Sequence, residues 1–501
     1  MMAMATTFSA ALVGVEAQLV QVEANVGQGL PGTYIVGLAD ASIAEARDRM
    51  KTAASNLGLQ WPKTKVVVGL SPASLRKHGS HFDLAMMMAI LTAGQPRQRG
   101  DVLIMGEVSL KGEVLGVPGV LPALLMAREH GITQAVVPHA NLSEALQVEG
   151  VEVYLAQQAD HVWQWLQGIP LLKTAQESGA GERSDAHPAA ANESDMADMA
   201  DMADVVGQPE AKWAAEVAAA GGHNMFIVGP PGSGKSMIAM RMPSIMTELD
   251  NAQRLEVQAI RSVLGQPPVA GVPIVAPHHG VSVAGLLGGG SGRPLPGAVS
   301  LAHHGVLFLD EVSEMAASVL DSLRVPLEEG QVRMVRNHTE LRFPARFQLI
   351  LAANPCRCGA EEPQDCRCSA VHRARYLRNV SGPLRDRLDL FVRTYSKGQQ
   401  VRELTPVSSA QIASRVAAAR GRMLRRFGVP NAHMDPHVLR RQFPADEAGM
   451  ALLQSYLEEG IVTQRGVDRA LKVAWTIADL ESAKRPGLDE VARALELREH
   501  A

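Results

Sequence analysis

Gly229-Pro230-Pro231-Gly232-Ser233-Gly234-Lys235-Ser236 is the stretch on which the reading of this chain turns. It has the spacing G-x-x-x-x-G-K-S. The apolar run Met225 to Val228 before it reads as a strand, and Met237 to Met242 after it reads as a helix. Strand, glycine-rich loop and helix in that order make a phosphate cradle, because glycines let backbone N–H groups wrap the phosphates at the start of a helix. Lys235 supplies a point charge to the β- and γ-phosphates of ATP, and Ser236 a hydroxyl to Mg²⁺. Residues 229–236 are therefore the expected ATP contacts.

Working outward, Val306-Leu307-Phe308-Leu309-Asp310-Glu311 reads as a buried strand ending in two carboxylates. Asp310 is expected to hold Mg²⁺ and Glu311 to polarise the attacking water. Two acids after a strand often only open a solvated helix. Downstream of a P-loop they point to hydrolysis. Phe347 to Asn354 is a further apolar strand, and Asn354 at its end can orient the water or touch the γ-phosphate.

The chain has 501 residues, enough at roughly 150 per domain for two to four domains. Apolar residues are 46% and charged residues 20%, with 48 Lys+Arg against 52 Asp+Glu, a net charge of −4. That excludes a histone-like polycation but not a local basic surface. Aromatics are 4%, so a nucleic-acid site would rely on charge more than stacking. No Lys or Arg precedes Arg47, so no signal-peptide n-region is expected, and the apolar run Leu84 to Gly94 is too short to span a bilayer. A cytoplasmic protein with no membrane partner is the expectation.

Residues 171–204 are acidic, with a tandem Asp-Met-Ala repeat over Asp195 to Asp204, and read as a disordered linker; a helical repeat is the competing reading. Before it, residues 1–170 read as an α+β unit. Strands are expected at Ala11 to Val26, Gly32 to Gly37 and Thr64 to Leu70, helices at Ala41 to Leu57 and Asp83 to Ala93, and a hairpin turning at Lys111-Gly112. After it, residues 205–400 read as an α/β core with a parallel sheet, and residues 401–501 as a helical unit, with Gln411 to Phe427 and Glu447 to Leu480 mostly helical.

Gly229 to Ser236, Asp310-Glu311 and Asn354, in that order, resemble an AAA+ ATPase. Pro277-His278-His279, the glycine-rich Gly285 to Gly297 and Ser300-Leu301-Ala302-His303 resemble its magnesium-chelatase-like branch. Leu327 to Arg333, running to Phe343-Pro344-Ala345-Arg346-Phe347, is similar to that branch's extra hairpin. Nearly the whole chain outside the linker resembles the ComM/YifB type of competence protein. The resemblance implies a homo-hexameric ring. Ser381 to Asp389 matches a segment in which Arg387 is the arginine finger completing a neighbour's site, with Arg385 as the fallback. Thr463-Gln464-Arg465 resembles a second sensor, with Arg465 on the nucleotide and Arg469 as the weaker candidate.

The N-terminal unit resembles the Lon proteolytic domain, a ribosomal-protein-S5-like fold, through Gly106 to Gly119. Alignment sets His81 at the serine position and Leu121 at the lysine position. Leucine cannot accept a proton, so a protease-like scaffold without the protease pair is expected.

All four cysteines lie together as Cys356-Arg-Cys358 and Cys366-Arg-Cys368, a pattern that can fold over one structural Zn²⁺; free thiols or a redox-labile loop are the alternative. Arg373, Arg375 and Arg378 follow. Arg333, Arg336 and His338 fall near the predicted tip of the extra hairpin, where cations can track a DNA backbone whatever its sequence. The expected function is an ATP-driven hexameric DNA motor acting in branch migration during recombination of incoming DNA, alongside recombination proteins, on single-stranded or branched DNA. A chelatase-like or protein-remodelling ATPase is the alternative.

Overall fold

A computed structural model describes residues 3–37, 41–96, 98–182, 200–290, 293–336, 339–361, 364–369, 371, 376, 379–396 and 406–499. Among the described residues the N-terminal unit holds ten strands: β1 (Ala3–Val13), β2 (Glu16–Gly27), β3 (Gly32–Val36), β4 (Lys65–Ser71), β5 (Val102–Ile104), β6 (Glu107–Val108), β7 (Val114–Leu115), β8 (Gln134–Pro138), β9 (Glu152–Ala156) and β10 (Lys173–Thr174). Eight of them form one mixed sheet in the order β10-β9-β8-β5-β1-β2-β4-β3. Side chains alternate across it with the two-residue period of a strand. Ala11, Val102 and Ile104 join one core with the helices Ala41–Asn56 and Asp83–Leu91. Ala10 and Leu103 join the other, with the helix Val120–Glu129.

The single strand expected at Ala11 to Val26 is instead part of a hairpin. Val13 pairs with Glu16, and Gly14 adopts φ 66, which fits a two-residue turn that begins on glycine. The expected hairpin at Lys111-Gly112 is reduced to β6 and β7. Val102–Ile104 leaves it to pair with β1 and β8. The stretch expected as a linker begins with order: β10 pairs antiparallel with β9, and Ala175–Glu182 is helical. It also ends with order. Asp201 Oδ1 accepts the Ala203 and Ser409 N–H groups at 2.8 Å each, and Met202 is buried. Residues 183–199, with the first half of the repeat, lie outside the described residues.

The second unit is built on β11 (Met225–Val228), β12 (Ile274–Val275), β13 (Gly288–Gly289), β14 (Leu295–Pro296), β15 (Val306–Leu309), β16 (Gln331–Arg336), β17 (Thr339–Pro344), β18 (Gln348–Ala353) and β19 (Leu390–Arg393). Five form a parallel sheet in the order β12-β15-β18-β11-β19. The strands are apolar apart from Gln348 at the start of β18 and Arg393 at the end of β19, as a sheet covered on both faces requires. This order sets the end of β18 between those of β15 and β11. The three polar elements expected from the sequence therefore meet at the carboxyl ends of three adjacent strands, where open α/β sheets bind ligands. β13 pairs with β14 and β16 with β17 as separate hairpins.

The helices Ser409–Phe427, Glu447–Glu458, Gln464–Leu480 and Leu488–Glu499 form the C-terminal region. The long helical stretch expected over Glu447 to Leu480 is broken at Gly460 (φ 71) and restarts at Thr463, which caps the next helix. Its apolar stripes share a core with the helix Pro209–Gly221 and with Ile227 and Ile350 of the sheet. The N-terminal unit touches the second unit at the helix Asn251–Val263. Ser262 O accepts the Gly119 N–H at 2.8 Å, and Ala259 enters the N-terminal core. No helix among the described residues is long and apolar enough to cross a membrane.

Candidate nucleotide-binding site

Gly229 accommodates no side chain: a Cβ there would lie 2.0 Å from Thr394 Oγ1. Gly232 and Gly234 take φ 76 and 88, conformations open to glycine at little cost, and Gly234 caps the helix Lys235–Met240. Lys235 Nζ donates to the Gly229 and Pro230 carbonyls at 2.8 Å each and to Asn354 Oδ1 at 3.1 Å. Burial lowers its pKa, against the pull of the Asp310 and Glu311 carboxylates. Ser236 Oγ donates to Asp310 Oδ2 at 2.7 Å. These are two hard oxygen donors side by side, the kind of pair Mg²⁺ selects, so the residues fit that ion. Asp310 Oδ1 also accepts the Glu311 N–H at 2.8 Å.

Glu311 carries φ 50, a left-handed conformation uncommon outside glycine and costly for a residue at a strand end. Its Oε2 lies 3.4 Å from His279 Nδ1. Sequence reasoning used His279 only as part of a motif. No spacing rule brings it to Glu311, because the pairing of β12 with β15 does so in space.

Arg387 is tied within its own chain. Nη2 pairs with Glu328, Nη1 donates to Pro383 O at 2.5 Å, and the side chain is 14% exposed. Arg385 is half-buried. Arg465 is free of such packing: its side chain is 77% exposed, 3.7 Å from Asp386 Oδ2. Arg469, the weaker sensor candidate, pairs with the fully buried Asp389. Burial pushes that carboxyl up, but Arg469 and His223 outweigh it and hold Asp389 well below the usual range. That network stitches the C-terminal helices to the start of β19 and leaves Arg469 engaged there.

Arg333, on β16, pairs with Glu329 at 3.0 Å and stays half-exposed. Arg336 ends β16 opposite Thr339. His338, Arg373, Arg375 and Arg378 lie outside the described residues. His81 is buried with Nε2 2.8 Å from Ala10 O, and Leu121 is fully buried in the other core, so the two positions aligned with a protease pair are both occupied by packing.

Cys356, Cys358 and Cys366 have sulfurs 3.1–3.5 Å apart, and all four cysteine sulfurs lie within 4.8 Å of one another. A tetrahedral Zn²⁺ with bonds of about 2.3 Å needs sulfurs about 3.8 Å apart, so the four fit one ion. Cys356 and the Ala360 and Arg367 N–H groups draw the Cys358 thiol down to about 6. A second cluster joins Glu256, His303 and His304. There His303 Nδ1 accepts the Arg346 N–H at 2.9 Å, so Nε2 carries the proton donated to Glu256 Oε2 at 2.8 Å. With both ring nitrogens so engaged, His303 is a hydrogen-bonding clasp and a poor metal ligand.

A parallel five-stranded sheet with a P-loop after one strand, an Asp-Glu pair after a second and an asparagine after the strand between them defines a P-loop nucleotide-binding protein of the AAA+ kind. The comparisons give the branch. Residues 201–402 match the family described as magnesium chelatase, subunit ChlI; residues 22–141 match subunit ChlI of Mg-chelatase; residues 406–498 match its C-terminal family. An uncharacterized protein of Mycobacterium tuberculosis is 44% identical over 511 residues, 99% of each chain. The uncharacterized protein YifB of Escherichia coli is 34% identical over 492 residues, 96% of this chain and 94% of its own. Competence protein ComM of Haemophilus influenzae is 34% identical over 504 residues, 99% of this chain and 97% of its own. The chain belongs to the magnesium-chelatase-like AAA+ family, of the ComM/YifB type.

Proposed function

We propose that the chain is an ATPase whose hydrolysis drives a homo-hexameric ring along DNA, promoting branch migration when incoming DNA is recombined in the cytoplasm. The observation that carries the ATPase reading is the contact of Ser236 with Asp310 at 2.7 Å, with Glu311 beside them and Lys235 on Asn354. Bound Mg-ATP supplies the phosphoanhydride to be cleaved. Ser236 and Asp310 hold the metal, Lys235 exchanges its carbonyl partners for phosphate oxygens, Asn354 orients water, and Glu311 takes its proton. Arg387, with Arg385 as the fallback, serves a neighbour's site, which requires repeated neighbours, and these form a ring when the rotation between them closes. Arg465 reaches the nucleotide as the second sensor.

The DNA reading is supported by the Haemophilus relative named as a competence protein and by the cations on the β16–β17 hairpin. Arg333 and Arg336 are the proposed phosphate contacts. We read residues 1–170 as a Lon-like unit without its protease pair, 205–400 as the motor core and 401–501 as its helical lid. The four thiolates hold a structural Zn²⁺. The descriptions of the matched families favour a second reading, a chelatase-like or protein-remodelling motor. The test is ATP turnover with and without forked or Holliday-junction DNA, together with movement of a labelled junction. Turnover that DNA never alters, with no junction moved, would favour the second reading.

A further inference from the structure

The cysteine loop presses on the phosphate cradle. β18 ends at Ala353, Asn354 accepts from Lys235, and Cys356 is buried two residues later. Gly359 then turns with φ 71, and a Cβ on it would stand 2.8 Å from Cγ and Cδ of Pro231, inside the P-loop. Glu361 accepts the Ser396 N–H at 3.1 Å and its hydroxyl. Two residues before Ser396, Thr394 Oγ1 lies 2.7 Å from Ser233 Oγ, again inside the P-loop. The loop and its tether thus meet the cradle at Asn354, Pro231 and Thr394.

Burial does little to hold the loop's shape. Among its described residues between 355 and 369 only Cys356 is buried. Cys358 is exposed, and Cys366 and Cys368 are half-buried. No sulfur pair among Cys356, Cys358 and Cys366 is at bonding distance, and the four thiols converge on one point. A four-thiolate ion closes such a loop where no apolar core can.

We propose that zinc bound by Cys356, Cys358, Cys366 and Cys368 braces the P-loop through Gly359, so that metal occupancy sets nucleotide affinity. This rests on the reading of residues 229–236 as the nucleotide site and of the four cysteines as zinc ligands. The coupling is reciprocal: nucleotide tightens zinc binding by the factor by which zinc tightens nucleotide.

The test uses the full-length protein, with zinc measured by elemental analysis and nucleotide affinity by fluorescence of mant-ATP. Wild-type protein is compared before zinc displacement by a mercurial, after it, and after reductant and zinc are restored. Affinity is expected to fall about tenfold and to recover on restoration, within the usual range of such couplings. Gly359→Val separates the brace from the ion, and is expected to keep zinc yet lose affinity to a similar degree. Zinc-free wild-type protein that binds mant-ATP within twofold of the loaded form overturns the proposal. So does Gly359→Val protein that binds as wild type. Fresh protein without zinc overturns the metal reading instead. Loaded protein that binds no better than Lys235→Ala protein overturns the nucleotide reading.

Discussion

Lys235 Nζ donates to Asn354 Oδ1 across 3.1 Å and so joins the loop after β11 to the end of β18, two strands that are neighbours in the sheet but far apart in the chain. An ammonium held by this amide and two loop carbonyls sits buried at the mouth of the cradle. Its removal takes away both a charge for phosphate and a cross-link between two strand ends.

Lys235→Ala should therefore lower mant-ATP affinity by about a hundredfold, as loss of a charge-assisted phosphate contact at a buried site implies. Glu311→Gln should keep that affinity and lose turnover, because only the proton acceptor is gone. Equilibrium binding and phosphate release, measured on both variants, separate the two roles. Wild-type turnover in Glu311→Gln would remove the base assignment.

Arg387→Ala should leave nucleotide binding intact and cut turnover by about a thousandfold, the low end for an arginine finger. Mixed with Glu311→Gln protein it should recover part of the activity, since an intact finger and an intact base then meet at some interfaces. Glu328→Gln should act in the opposite direction, raising turnover modestly, because it releases Arg387 from the ion pair within its own chain and frees it for the neighbour's site. No recovery in rings shown to be mixed would count against a role in trans.

Replacing Arg333 and Arg336 with Ala should spare basal ATP turnover and abolish its stimulation by DNA. Arg333 pairs with the exposed Glu329, and such pairs contribute little to stability, so the fold should survive. Wild-type DNA binding should weaken steeply with salt, and the variant should show a shallower slope. Titrations of labelled junction DNA at several salt concentrations give the result. An unchanged slope would show that the phosphates are held elsewhere.

Burial holds His303 down at about 4, against the hydrogen bond to Glu256. A histidine depressed in the folded state favours folding above its ordinary pKa of 6.5, and that contribution disappears as pH falls toward 4. Stability should drop by up to about 3 kcal/mol across that window. The groups facing it are Glu256, His304 and Arg346. His303→Asn can still accept the Arg346 N–H and cannot titrate, so its urea midpoint should vary less between pH 7 and pH 4.5. Equal pH dependence in the two proteins would locate the sensitivity at another group.

The P-loop, the acidic strand end and Asn354 were legible in the sequence because each is local. A glycine spacing, a strand of consecutive apolar residues and a polar stop are properties of short windows, and their chemistry follows from residue type. The cysteine pairs were legible for the same reason. Turn geometry was less so: Gly14 could be read as a glycine within a strand, and only pairing of Val13 with Glu16 makes it a hairpin turn. The order β12-β15-β18-β11-β19 was decided by tertiary structure alone, since strand order reflects which buried faces pack and not which residues adjoin. That order brings Lys235 to Asn354, Ser236 to Asp310 and His279 to Glu311. It also separates two arginines that look alike in sequence. Arg465 stays largely exposed beside Asp386, whereas Arg469, one helical turn on, is drawn to the buried charge of Asp389, because a carboxylate without water must find a cation.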